Sequence, residues 1–353
     1  MILDRLGALL TRGLSAFLAP RTIRSLKREL RRSGLAKLGI VLVVLMVSVA
    51  IFAPVLAPHN PNSQDLENSQ LPPLGFSVTE NQTSSEMVNG SVEVVEEEAT
   101  VNATVTHPLG TDPLGRDMLS RVIYGARTSL LVGLLGTLAA VIVGVSVGLT
   151  AGYYGGRVDD GLMRVADVML AFPSLVLAIA LIGLFGQAAI RIPDPMVILG
   201  LTPEMPETFV LPGTVVAVVA LVNWVWFARV ARGEALSLRD EEYVKAARSV
   251  GASDGYIVWK HVLPNSITPI LVLATIQVAA IILLESALSF LGFSGTTLSW
   301  GFDIAQGRSY LASAWWVATV PGIAIVLAVI GINLIGDWFR DALDPGVGGE
   351  GGV

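Results

Sequence analysis

The sequence predicts an all-α, polytopic membrane protein with six transmembrane helices. Three observations predict it. Apolar residues make up 53% of the 353 residues and charged ones only 15%, where a soluble domain carries about a quarter. Several apolar runs reach the ~20 residues that a helix needs to cross hydrocarbon. Lysine and arginine are concentrated in alternate connecting segments, as the positive-inside bias requires. A membrane barrel would show weak alternation over about ten residues instead. The chain has no cysteine, which excludes disulfides and thiolate metal sites. Its three histidines are scattered, so no metal centre is expected.

The elements follow in order. A basic tail, 1–37, carries Arg21, Arg24, Lys27, Arg28, Arg31 and Arg32 and is expected in the cytoplasm. Leu3, Leu6, Leu10, Leu14 and Phe17 recur within it at helical spacing. That pattern suits an interfacial helix; the alternative is a mobile basic tail. The run 38–57 is the first span, too long and too broadly flanked by charge for a cleaved signal peptide. Residues 58–125 form the first outer loop. From 58 to 115 it has no Lys or Arg but many acids, among them Asp65, Glu67, Glu93, Glu96, Glu97 and Glu98. Its stretch 59–106, rich in Asn, Ser, Thr and Glu, reads as flexible. Asn81, Asn89 and Asn102 begin Asn-x-Ser/Thr triplets and are candidate glycosylation acceptors.

The core, 126–337, holds spans at 129–151, 165–187, 211–230, 266–291 and 315–336. Pro173 breaks the third. Alternation places 152–164, 231–265 and the tail 338–353 inside, so both termini are cytoplasmic. Segment 231–265 carries Arg232, Arg239, Lys245, Arg248 and Lys260, whereas 188–210 carries only Arg191. Gly144, Gly148, Gly152 and Gly156 recur every four residues. Small residues at that period let helix backbones approach closely, here against another span or another subunit. Glu285 and Asn223 are the polar residues placed best to line a translocation pathway, with Asp167 a weaker candidate. A carboxylate inside a span costs a few kcal/mol, so Glu285 faces a cavity or helix junction, or else reaches the outer interface. Trp315 and Trp316 fit an outer aromatic belt.

Between the fourth and fifth spans lies a polar passage, "EEYVKAARSVGASDGYIVWKHVLPN", Glu241 to Asn265. "SLRD", Ser237 to Asp240, reads as a capping box that starts a helix over 238–250, with Tyr243, Ala247 and Val250 on one face and Glu241 paired with Lys245. Gly251 ends it in a left-handed conformation. Ser253 caps a second, short helix over 253–262, with Tyr256, Trp259 and Leu263 on one side, and Pro264 limits it. The passage is either a folded loop covering the span ends or a docking device. A second capped helix of fixed length favours docking.

"KAARSVGASDGYIVWKHVLP" resembles the cytoplasmic signature of permease subunits of ATP-binding-cassette (ABC) importers, Glu-Ala-Ala, three residues, Gly, nine residues, Ile-x-Leu-Pro. Ala246, Ala247, Gly251, Leu263 and Pro264 fit it; Lys245 replaces the glutamate and His261 stands at the isoleucine. "HPLGTDPLGRDMLSRVIYGARTSL" (His107 to Leu130), "ESALSFLGF" (Glu285 to Phe293) and "GDWFRDALDP" (Gly336 to Pro345) are similar to segments of the dipeptide, oligopeptide and nickel permeases. The basic tail and large first outer loop resemble the C-type of the two paired permeases. The resemblance covers roughly 20–57 and 107–345 and leaves out the loop with the triplets.

The resemblance implies a type I ABC importer permease fold in the plasma membrane. Its coupling segment would be 238–264, with Ala246, Ala247, Gly251, Ala252, Ser253, Asp254, Tyr256, Leu263 and Pro264 meeting an ATPase subunit. The implied partners are a homologous B-type permease, two ATP-binding-cassette ATPase subunits that hold ATP and Mg, an extracellular solute-binding protein and the lipid bilayer, with no nucleic acid. The implied cargo is a di- or oligopeptide or a related small solute. No Gly-x-x-x-x-Gly-Lys-Ser/Thr loop and no nucleophile-base arrangement is readable, so no enzyme active site is expected in this chain. The competing reading is a stand-alone secondary transporter, which usually buries more ionisable residues at mid-membrane.

Overall fold

The structure is a computed structural model that describes residues 20–88, 91–295 and 297–343. The apolar positions expected in a tail helix, Leu3 to Phe17, lie outside the described residues, as do Asn89 and the end of the chain from 344. Helix α1, Pro20–Arg32, leads into α2, Gly34–Ile51, which Ser33 caps by accepting from the Ala36 amide. Two strands follow, β1 Ser77–Val88 and β2 Ser91–Asn102. Helix α3, Met118–Tyr154, is 37 residues long. It is followed by α4 Gly156–Leu170, α5 Ser174–Phe185, a small antiparallel pair β3 Ile190–Pro193 and β4 Thr208–Leu211, and α6 Gly213–Leu238. Helices α7 Glu242–Ser249, α8 Asp254–Ile257, α9 Leu263–Phe290, α10 Trp300–Gly307 and α11 Trp316–Leu343 complete the chain.

Among the described residues, five helices are long and apolar enough to cross a membrane: α2, α3, α6, the continuous helix Asp254–Phe290, and α11. The third expected span, 165–187, is a pair. Helices α4 and α5 meet at 95° across the Ala171–Pro173 break. At 1.5 Å per residue α5 is only about 18 Å long, short of the ~30 Å hydrocarbon core. The proline expected to break the span therefore divides it into two differently directed halves.

Helix α3 organises the bundle because its glycines let α6 approach at backbone distance. A Cβ on Gly144 would lie 2.3 Å from the Trp224 carbonyl oxygen, on Gly148 2.2 Å from that of Ala228, and on Gly152 2.5 Å from that of Arg232. Trp224, Ala228 and Arg232 are themselves four apart, so two matched ridges run against each other. The expected tight packing is thus between two spans of this chain. The fourth glycine, Gly156, lies beyond the contact, at a positive φ of 52° with open space around its Cβ position. Around this seam Val145, Leu149, Phe227 and Ala231 form an apolar core. Elsewhere Leu26, Ile40 and Trp338 join α1, α2 and α11, with the Trp338 indole donating to the Leu26 carbonyl at 3.2 Å.

The loop read as flexible contains structure. Strands β1 and β2 form an antiparallel hairpin in register from Ser77↔Asn102 to Val88↔Ser91. Valine and threonine in "SVEVVEEEATVN" suit a strand and outweigh the disorder suggested by overall polarity. Asn81 lies in β1, and Asn102, at the end of β2, is exposed. Trp316 is not a belt residue. It is fully buried and donates its indole N–H to the Thr111 carbonyl at 2.8 Å, pegging the first loop to α11.

Gly148→Ala should destabilise the protein by about 1–3 kcal/mol, because only backbone can yield at that contact. Gly161→Ala, with nothing within 4 Å of its Cβ position, should raise stability by a few tenths of a kcal/mol, from Ala's higher helix propensity. Unfolding of each variant in detergent checks the opposite signs.

Candidate functional site

Two polar regions stand at opposite ends of α3. At its Tyr154 end, helix α6 runs on through Leu238, so Ser237 sits inside a helix and caps nothing. The expected capping box fails because the apolar face of α6 continues through Ala235 and Leu238 into the core. Helix α7 starts only at Glu242, and its N-cap Glu241 makes no side-chain cap bond. Val244, not the expected trio, is the buried anchor of α7; Ala247 packs beside it, Tyr243 is partly exposed and Val250 is open to solvent. No Glu241–Lys245 ion pair occurs among the described residues. Burial, and then the Glu241 charge, lift the Tyr243 hydroxyl above the usual phenol range, so it stays protonated.

Gly251 takes φ +84°, the left-handed conformation expected at this joint. Ser253 then caps α8, accepting from the Tyr256 amide. The expected stop at Pro264 does not occur. The backbone widens into one π-helical stretch, Val258–Val262, in which the Leu263 amide reaches the Val258 carbonyl. Pro264 follows this wide turn directly, and a turn that departs from the regular i→i−4 pattern accommodates a residue with no N–H. The short helix and the following span are therefore one continuous element, Asp254–Phe290. Ile257 and Val262 are fully buried against the bundle. Trp259 is 71% exposed and Tyr256 53% exposed, and the His261 ring meets those of Tyr256 and Tyr243 at 5.8 and 6.1 Å. Ala246 and Ala252 flank the joint, with the Ala252 amide donating to the Ala247 carbonyl at 3.1 Å.

Tyr153, at the end of α3, clamps this projection and was not singled out in the sequence. Its hydroxyl donates to Asp254 Oδ1 at 2.7 Å and accepts from Arg248 at 3.1 Å, while the Arg248 guanidinium lies 5.5 Å from its ring centroid. The Tyr153 bond holds Arg248 above the usual guanidinium range. Beside it Arg232 grips Asp159 through two bonds of 2.5 and 2.7 Å, tying α4 to α6. Asp167 pairs with Arg229 at 2.7 Å on the exposed side.

At the Met118 end the motif 107–130 supplies a set of pegs. The Arg121 guanidinium pairs with Asp303 of α10 and donates to the Pro61 carbonyl at 3.1 Å. Arg127 pairs with Asp194 and donates to the Ala50 and Ile51 carbonyls at 2.6 and 3.0 Å. Glu285 is fully buried. It accepts from the hydroxyls of Ser289 at 2.6 Å, Ser129 at 3.0 Å and Ser286 at 3.4 Å. It joins α3 to α9 through the Ser129 hydroxyl. Asn223 donates to the Val219 carbonyl of its own helix at 2.7 Å. Both residues expected on a pathway thus make hydrogen bonds within the subunit.

A multi-pass helical membrane protein with a rigid aromatic projection on one end of its bundle is the class that fold and site define. The sequence pattern of the binding-protein-dependent transport system inner membrane components matches residues 144–349. That of the N-terminal TM domain of oligopeptide transport permease C matches residues 23–73. The dipeptide transport system permease protein DppC of Alkalihalophilus pseudofirmus is 35% identical over 90% of this chain and 88% of its own length. The di/tripeptide transport system permease protein DppC of Pseudomonas aeruginosa is 36% identical over 87% and 86%. The probable D,D-dipeptide transport system permease protein DdpC of Escherichia coli is 35% identical over 91% of each. Among solved structures, the inward facing MetNI methionine ABC transporter has a TM-score of 0.47 at 17% identity, over 64% of this chain and 98% of that one. The chain belongs to the family of binding-protein-dependent transport system inner membrane components. It is a permease subunit of an ABC importer in the plasma membrane, and not a stand-alone secondary transporter.

Glu285→Ala should cost about 2–4 kcal/mol, since it opens a cavity and strands buried hydroxyls. Substrate preference of the residual transport should not change. Unfolding and competition uptake measure the two effects separately.

Proposed function

We propose that this subunit forms half of a peptide pathway and is driven by ATPase subunits docked at its Tyr154 end, which faces the cytoplasm together with both termini. One observation carries the reading: the exposed Tyr256 and Trp259 stand on a helix that runs without interruption into a membrane span. Buried Ile257 and Val262 fix this segment to the bundle. A groove on an ATPase subunit that receives the aromatic knob would move α9 directly, with α7 and Gly251 as the flanking joint. Ala246, Ala247, Ala252, Ser253 and Asp254 shape that joint, and Leu263 and Pro264 carry it into the span.

The partners in this reading are a homologous B-type permease, two ATPase subunits that bind ATP and Mg, and an extracellular solute-binding protein that delivers cargo. The relatives named for dipeptide and di/tripeptide transport support short peptides as that cargo. Coupling between two distant sites requires an element with two positions that both sites bias, and the continuous Asp254–Phe290 helix is suited to that role.

Trp259→Ala should leave the isolated subunit as stable as wild type, because the ring is largely exposed. Its complexes should retain less ATPase on co-purification, and ATP-driven peptide uptake should fall at least about tenfold, a loss of ~1.4 kcal/mol. Gly251→Pro forces φ from +84° to about −65° and should uncouple ATP hydrolysis from uptake. Wild-type uptake by both variants in reconstituted vesicles would sink the docking assignment.

A further inference from the structure

His59 and His107, 48 positions apart in the sequence, are brought face to face at the Met118 end, with ring centroids 4.6 Å apart. Both address one carboxylate. His107 Nδ1 lies 3.0 Å from Asp117 Oδ1, and His59 Nδ1 lies 3.8 Å from Asp117 Oδ2. One ligand atom from each residue fits within a 4.8 Å circle of mutual distances. We propose that His59, His107 and Asp117 form a binding site for a divalent transition metal of the zinc class.

Four observations support this. One ligand atom from each of the three residues lies within 4.8 Å of the others, and the hydrogen bond between His107 Nδ1 and Asp117 Oδ1, 3.0 Å, is already close to the ~3.3 Å edge of a tetrahedron with zinc–ligand bonds near 2.0–2.1 Å. His59 Nδ1 is buried and has no hydrogen-bond partner among the described residues, an arrangement that leaves a polar atom unsatisfied unless a ligand meets it. The carboxylate is oriented from behind: Asp117 Oδ2 accepts from the Ser120 amide at 2.8 Å and the Ser120 hydroxyl at 2.6 Å. Such outer bonds fix a metal-bound carboxylate. Ser120 also orients the other side of the site, since its hydroxyl accepts from the His59 amide at 3.0 Å.

The donor chemistry selects the metal. Two imidazoles and one carboxylate suit zinc and its neighbours, whereas magnesium and calcium prefer all-oxygen sets. His59 also lines a cavity of about 490 Å³ together with Asn60, Asn62 and Glu204, a source of water for a fourth ligand. The three ligands come from the segment after α2, from the loop after the hairpin and from the N-cap of α3. A bound ion would tie these three segments together, a role independent of the ATPase docking proposed above.

The chain offers a clean background, with three histidines and no cysteine. The experiment uses the full chain in lipid nanodiscs with any affinity tag removed. Zinc alone is titrated calorimetrically, and cobalt alone is titrated by its visible absorption. Wild type should bind one ion saturably, give the intense absorption of tetrahedral cobalt and melt at a higher temperature with zinc. His59→Gln should weaken binding at least about tenfold and abolish the zinc-dependent rise in melting temperature. His261→Gln should bind as wild type does. His59→Gln is the primary test because its ring is partly exposed, and failure of His107→Gln to fold would not affect it. The proposal is overturned if wild type shows no saturable binding, or if His59→Gln binds as tightly as wild type. Neither outcome depends on whether the subunit drives peptide uptake.

Discussion

The backbone contact between α3 and α6 is the constraint on which the rest of this subunit depends. Lipid offers no hydrophobic drive between helices, so close packing must supply the attraction. Gly144, Gly148 and Gly152 remove the side chains that would hold the two helices apart. That closeness sets where both ends of each helix lie. Arg232 then reaches Asp159, and Arg239 reaches the Gly152 carbonyl at 3.1 Å. Tyr153, one residue beyond the last seam glycine, arrives where it can hold both Arg248 and Asp254. The aromatic projection is aimed by the seam, one polar contact removed.

The opposite end is organised by charge. Arg121 and Arg127 are almost fully buried, and each meets a buried carboxylate and backbone carbonyls. Isolated charges there would cost several kcal/mol, and paired ones specify position more than they add stability. These pegs join elements far apart in the chain: Arg121 binds Asp303 and Arg127 binds Asp194. Glu285 follows the same logic with three serine hydroxyls in place of a cation.

Much of the fold was legible in the sequence because its signals are local. Apolar run length marked the spans, four-residue spacing marked the glycine seam, and Gly251 and Ser253 marked a joint and a cap that exist. The misreadings have different causes, and in one a local signal was outweighed by packing. "SLRD" is a sound capping pattern, but the core holds Ala235 and Leu238 in helix. Pro264 was read as a stop, although a helix continues through a proline where its hydrogen-bond pattern widens. The hairpin had a signal that went unread, since Asn89-Gly90 between alternating valines is a strong two-residue turn sequence. The nearness of His59 to His107 had none. It follows from how the first loop folds back onto α3, which no spacing in the sequence encodes.

The π-helical stretch Val258–Val262 has a consequence for how this chain tolerates changes in length. Each residue added to or removed from a helix turns everything beyond it by about 100°. A single deletion within Val258–Val262 would let the wide turn tighten into an ordinary α-helical one, whereas a further insertion there would swing Trp259 from solvent toward the bundle. The hairpin loop is different, because loop-closure cost grows only with the logarithm of length. Changes in length between Ser77 and Asn102 therefore cost this chain little, while residues added in the interval that ends at Pro264 re-aim the aromatic projection.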